Sequence, residues 1–168
     1  MKKLLIVLLT FLSICNLNAQ NENPRSKFPL GINAGINIIP LPEYLLLEGS
    51  IDYLFTPHIS AEISIGWLPA DLVYFYSFGG KYWFARKTSK SGFSPFTGLM
   101  FTGVSGTILE SSGKTPDVYF LKIPAGVSYI APFGLQTSLQ LNGLFNYDGD
   151  LFVFPTLEFK VGWRFKVK

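Results

Sequence analysis

The sequence predicts an all-β chain, a closed eight-stranded antiparallel up-and-down transmembrane β-barrel. Three observations predict it. The stretch from Leu157 reads L-E-F-K-V-G-W-R-F-K-V-K. Strand side chains alternate with period two, so Leu157, Phe159, Val161, Trp163, Phe165 and Val167 share one face, and Glu158, Lys160, Gly162, Arg164, Lys166 and Lys168 share the other. Lipid accepts an apolar, aromatic face of this kind, and a barrel lumen accepts the charges. Second, eight alternating segments follow one another, separated by turn residues. Third, aromatic residues make up 16% of the chain and charged residues 15%. A soluble barrel would carry more charge outside, and no apolar run beyond the first residues is long enough for a membrane helix.

The N-terminus is expected to be removed. Met1-Lys2-Lys3 is a basic n-region, Leu4 to Ile14 an apolar h-region, and Ala19 a small residue before a cleavage point. The run is too short to span a bilayer as a helix, so residues 1–19 read as a secretory signal peptide. Cys15 is expected to leave with it. The stretch Leu12-Ser13-Ile14-Cys15 resembles a lipobox in part, but Ile14 is bulkier than the Gly, Ala or Ser that a lipobox places before its Cys. Either way no structural disulfide is expected. Cleavage leaves about 150 residues, one domain, with basic and acidic residues nearly balanced. That balance argues against nucleic-acid binding. Residues 20–27 form a polar periplasmic leader, and 28–168 the barrel domain.

The eight strands are expected at Leu30–Ile39, Tyr44–Phe55, Ile59–Leu68, Val73–Ala85, Phe93–Val104, Val118–Ile130, Leu135–Asn146 and Leu151–Val167. Each approaches or exceeds the length of a tilted membrane strand, about 9–11 residues. An even count puts both termini on one side, the periplasmic one. Thr56-Pro57-His58 and Ala131-Pro132-Phe133-Gly134 are tight periplasmic turns, and 86–92 is a longer one. The longest outer loop is 105–117; those near 40–43, 69–72 and 147–150 are short.

Aromatics are expected in two interfacial girdles. Tyr53, Phe55, Tyr82, Phe84, Phe93, Tyr129, Trp163 and Phe165 fall at periplasmic strand ends; Tyr44, Trp67, Tyr74, Tyr76, Phe101, Tyr119, Phe145 and Tyr147 fall at outer ends. Pro124 and Pro155 lie within strands, where a closed barrel has no edge to hide a missing N–H, so bulges are expected at both. Phe75, Trp83, Phe96, Met100, Phe120 and Phe154 have inward parity. Either the lumen is partly apolar or the register slips locally.

The inward face carries the candidate chemistry. Its charges are Glu48, Asp52, Glu62, Lys81, Lys122, Glu158, Lys160 and Arg164, accompanied by Gln136, Gln140 and Asn142. The turn at Pro57 places Asp52 opposite Glu62, with Lys81 diagonal to Glu62 and Arg164 at a similar height across the first strand. Facing carboxylates repel unless cations neutralise them. The plain expectation is a buried salt-bridge plug; the sharper one is a proton-sharing dyad or the gate of a narrow path. The arginine and lysines at 86, 87 and 90 are expected to be a solvated periplasmic turn. The sequence has one His, which excludes histidine-based metal clusters. No phosphate loop, zinc spacing or dinucleotide fingerprint is present, and neither cofactor nor metal is expected.

The whole mature chain resembles the small outer-membrane β-barrel family of the OmpA-transmembrane-domain and OmpX type. The strand count, the stretch Phe93-Ser94-Pro95-Phe96-Thr97-Gly98-Leu99, and the motif Lys160-x-Gly162-x-x-Phe165-x-Val167 carry the resemblance. That motif is similar to the β-signal read by the barrel assembly machinery, although Lys168 stands where the family commonly ends in an aromatic. The resemblance implies the outer membrane of a Gram-negative bacterium, with membrane lipid, the assembly machinery and periplasmic chaperones as partners. Any surface ligand is expected at the 105–117 loop. The implied role is structural or adhesive, without catalysis. His58-Ile59-Ser60 is similar to the H-x-S motif of outer-membrane lipid A deacylases, but Ala61 replaces the Asn that follows in that family, and the periplasmic end is the wrong leaflet. Successive same-face residues on a strand also start roughly 6–7 Å apart, far for a nucleophile and its base. Alternative expectations are a lipid A-modifying enzyme, a narrow conduit for small or hydrophobic solutes, and a soluble lipocalin-like barrel with its faces exchanged.

Overall fold

The computed structural model describes residues 27–39, 44–68, 72–84, 92–107, 114–146 and 153–167. The signal peptide with Cys15, the basic residues 86, 87 and 90, most of the leader and loop residues 108–113 lie outside the described residues. Eight strands form one antiparallel sheet that closes on itself: β1 (Leu30–Ile39), β2 (Tyr44–Leu54), β3 (Ile59–Leu68), β4 (Leu72–Trp83), β5 (Phe93–Thr107), β6 (Lys114–Ile130), β7 (Leu135–Asn146) and β8 (Val153–Phe165). Each strand pairs with its sequence neighbours, and β8 pairs with β1. Closure satisfies every strand edge, which an open sheet of this length could not do.

The alternation of the sequence becomes the two faces of the wall. On β3 the pattern exposed–buried repeats without a break from Ile59 to Leu68. The outer face is mainly aliphatic at mid-height, where Ile63 and Ile65 are 59% and 62% exposed, with Phe78 opposite Ile63. Toward the end that holds the termini it becomes aromatic, with Tyr53 against Phe55 and Tyr82 against Phe84, each pair at 5.2 Å. Phe133, which the sequence placed only in a turn, joins this belt against Trp163. Trp67, Tyr74, Tyr76, Phe101 and Tyr119 are exposed toward the opposite end.

Turn chemistry fixes the terminal end. Thr56 Oγ1 accepts from the backbone N–H groups of His58 and Ile59, closing the β2–β3 turn. Gly134, at φ +106°, closes the β6–β7 turn, and its carbonyl accepts from Arg164 N–H at 2.7 Å.

Three expectations are corrected. β5 and β6 run on to Thr107 and from Lys114, so the expected 105–117 loop is shorter at both ends. The β5–β6 register shifts between Val104 and Gly106 and then resumes to Thr107 and Lys114. Neither Pro124 nor Pro155 makes a bulge. A strand residue points its N–H at only one neighbour, so a proline costs one rung and not the register. At Pro124 the β5–β6 ladder skips two pairs and resumes in step, while Pro124 and Asn142 stay paired toward β7. Gly98 leaves space for the ring, since a Cβ there would lie 3.1 Å from Pro124 Cγ. Last, β8 ends at Phe165 rather than Val167, and β2 and β4 end one and two residues early.

Of the residues of inward parity, Trp83, Phe96 and Met100 are buried and Phe75 is partly buried, so the lumen is partly apolar. Leu54, Trp83 and Phe96 pack together near the terminal end. Leu46, Leu68 and Val73 pack toward the loop end, against Phe75 and Val104. A polar layer lies between the two. The side chain of Phe154 lies outside the described residues.

A buried charge layer as the candidate functional site

The polar layer is built by strands from all around the wall. All eight charged residues expected in the lumen are there, none more than 7% exposed. Three lysines and three glutamates form one cluster. Glu62 takes Lys81 at 2.7 Å and Lys160 at 2.8 Å. Lys160 also meets Glu48 at 2.9 Å, and it pairs with Glu158. Lys122 reaches Glu158 at 3.0 Å and Glu48 at 4.0 Å. Glu158 accepts further hydrogen bonds from Gln140 Nε2 at 2.7 Å and Asn142 Nδ2 at 3.0 Å. Lys81 also donates to Gln140 Oε1 and lies 4.9 Å over the Phe96 ring.

Arg164 forms a second centre at the terminal end. Its guanidinium donates to Asp52 and Gln136 through Nη1, to the Phe28 carbonyl through Nε and to the Pro29 carbonyl through Nη2, all at 2.6–2.7 Å. One planar fork thereby ties β8 to β2, β7 and the residues leading into β1. Phe28, 8% exposed, lies at that end beneath the lumen.

Asp52 and Glu62 are directly opposite in the β2–β3 register. They are held by different cations, Arg164 for one and Lys81 with Lys160 for the other. No proton-sharing contact between these two carboxylates is formed. Cations and N–H donors surround each carboxylate, which offsets the cost of burying it. Between the polar and upper apolar layers is a cavity of about 20 Å³ lined by Asn37, Glu48, Ser77, Thr102, Lys122 and Thr156 among others. That is room for about one water.

His58 and Ser60 each bond to a third residue, Trp83. His58 Nδ1 lies 3.0 Å from the Trp83 carbonyl oxygen, its ring stacks on Tyr82, and its backbone carbonyl accepts from Trp83 N–H. Ser60 Oγ accepts from Trp83 Nε1 at 2.8 Å. Sequence reading gave Trp83 an inward parity but no role; nothing in one dimension shows that it bridges to both residues. Of the expected assembly residues, Lys160 is inside, Gly162 is packed against Asn33 and the Ile32 carbonyl, and Phe165 and Val167 are exposed.

No protein-family model matches the chain, and no curated protein matches its sequence. Solved structures do resemble it. The N-terminal β-barrel domain of Pseudomonas aeruginosa OprF superposes with a TM-score of 0.69 at 20% identity, covering 83% of this chain and 98% of that one. A de novo designed transmembrane β-barrel gives 0.58 at 13% identity, covering 82% and 95%. The outer membrane enzyme PagL gives 0.51 at 10% identity, covering 82% and 99%. The chain therefore has the fold of the small eight-stranded transmembrane β-barrels. A natural barrel domain, a designed sequence and an enzyme share this fold, so it carries no activity by itself.

Proposed function

We propose that the chain is an integral outer-membrane protein of a Gram-negative bacterium, exported through its signal peptide, with a structural or surface-interaction role and no catalysis. The observation that carries this reading is how many charged and large apolar side chains are buried in the lumen among the described residues. Among the described residues, paired charges lie between two apolar layers, and a cavity with room for about one water lies between the charges and the upper apolar layer. An eight-stranded barrel interior is just wide enough to be filled by side chains. The exposed aliphatic belt with aromatic ends supports contact with membrane lipid. Recognition by periplasmic chaperones and by the assembly machinery, the latter through Lys160, Gly162, Phe165 and Val167, belongs to the same reading. Any surface ligand would meet the β5–β6 hairpin end.

The test is an outer-membrane fraction run on a gel, boiled and unboiled, followed by planar-bilayer recording of the purified protein. A heat-dependent band shift, extraction only by detergent and no conductance are expected. A soluble protein without the shift would refute membrane insertion. Steady conductance would favour the conduit.

A further inference from the structure

Two ion pairs pass over β1. In the ladders, Gly31 is opposite both Asp52 of β2 and Arg164 of β8, and Gly35 is opposite both Glu48 of β2 and Lys160 of β8. Arg164 and Asp52 join at 2.7 Å, and Lys160 and Glu48 at 2.9 Å. Each pair therefore links the two neighbours of β1 across a glycine. The spacing is four residues on all three strands. We propose that these two straps, with the glycines beneath them, fix the register in which the barrel closes.

β1 does not specify that register alone. It reads L-G-I-N-A-G-I-N-I-I, in which Gly31-Ile32-Asn33 recurs as Gly35-Ile36-Asn37. Its outward face is aliphatic throughout, so a slip of four residues conserves most of the pattern. Odd slips exchange the two faces and are excluded by burial. Even slips are excluded by the straps. A Cβ at Gly35 would lie 2.5 Å from the Phe159 carbonyl oxygen and 2.8 Å from Lys160 Cγ. One at Gly31 would lie 3.0 Å from Arg164 Nη1 and closer still to Asp52 Oδ1. A slip of two puts an asparagine under a strap. A slip of four one way puts Ile39 under the Lys160 strap; the other way, Lys27 comes under the Arg164 strap. Only the observed register sets a glycine under both.

The proposal predicts the direction of error when one strap is removed. Losing the Arg164 strap (Asp52→Asn with Arg164→Ala) permits the slip that brings Gly31 under Lys160. Ile32 then lies opposite Phe159. Losing the Lys160 strap (Glu48→Gln with Lys160→Ala) permits the opposite slip, with Ile36 opposite Trp163. Outward-facing cysteine pairs report each register in the full chain carrying Cys15→Ser: Ile36→Cys with Phe159→Cys for the native one, Ile32→Cys with Phe159→Cys and Ile36→Cys with Trp163→Cys for the two slips. Opposed strand cysteines are within disulfide reach. With both straps intact, only the native pair is expected to cross-link under mild oxidation. Each single-strap variant is expected to raise its own slipped product about tenfold and not the other. Native cross-links alone, the same slip in both variants, or chains that give no heat-modifiable barrel would each overturn the proposal.

Discussion

Glu62→Gln is the sharpest perturbation of the charge layer. Glu62 is 4% exposed and holds two ammonium groups at 2.7 and 2.8 Å. At an effective dielectric constant near 20, each contact is worth about 6 kcal/mol of Coulomb energy before desolvation is subtracted. The subtraction removes most of it, so the intact cluster contributes little net stability. Removing one carboxylate is a different matter, because the lysines stay buried. Lys160 retains Glu48 and Glu158. Lys81 retains only the Gln140 amide oxygen and the Phe96 ring among its described contacts. The expected loss is about 3–5 kcal/mol, a fall of roughly 1 M in the guanidinium midpoint. Restoring neutrality with Glu62→Gln plus Lys81→Met should return stability to within about 1–2 kcal/mol of the parent. The assay is denaturant unfolding of the refolded barrel in detergent or lipid vesicles, followed by tryptophan fluorescence and by the unboiled gel band. A single variant that loses less than about 1 kcal/mol, or a double variant worse than the single, would refute the idea that cancellation of charge governs the cost.

Other substitutions test other layers. Trp83→Phe keeps the ring packing on Phe96, which lies at 4.6 Å, but removes the bond to Ser60; it should cost about 1–2 kcal/mol by circular dichroism and gel shift. Ile63→Lys, at an exposed mid-height position, should cost about 2–4 kcal/mol in a bilayer, whereas a nearly neutral result would mean that this face meets water. His58→Ala removes one part-buried contact to a carbonyl. It should leave lipid A unchanged by mass spectrometry, and loss of a modified species would turn the reading toward an enzyme.

The strand pattern was legible because a membrane wall forces strict alternation. Leu157 to Phe165 and Ile59 to Leu68 state their faces residue by residue. Legibility failed where alternation stops. Ser105-Gly106-Thr107 and Lys114-Thr115-Pro116-Asp117 read as loop, yet the backbone ladder continues through them past a register shift. The prolines misled for a related reason, since composition does not show which neighbour an N–H faces. For the charge layer, parity gave the membership of the lumen. Adjacent pairings such as Lys81 with Glu62 followed from hairpin register. Lys122 with Glu158, or Lys160 with Glu62, depends on strand tilt and on reach across the interior, which period two does not encode.

The distribution of the inward charges bears on why they are there. β2 and β3 carry Glu48, Asp52 and Glu62 with no inward cation, while β4 carries Lys81, β6 Lys122, and β8 Lys160 and Arg164 beside a single acid, Glu158. Before closure Lys160 and Arg164 of β8 would therefore lie apart from Glu48, Asp52 and Glu62, and joining β8 to β1 brings these rows into contact. Apolar residues of equal volume could fill the same space with equal or greater stability. An all-apolar lumen, however, would match itself at every even slip of a strand, and the aliphatic outer face of β1 gives no correction from outside. Ion pairs of fixed spacing over paired glycines distinguish one register from its neighbours. On the register proposal, the charges that the sequence offers as a salt-bridge plug, a proton-sharing dyad or a gate serve to make a repetitive sheet close in only one way.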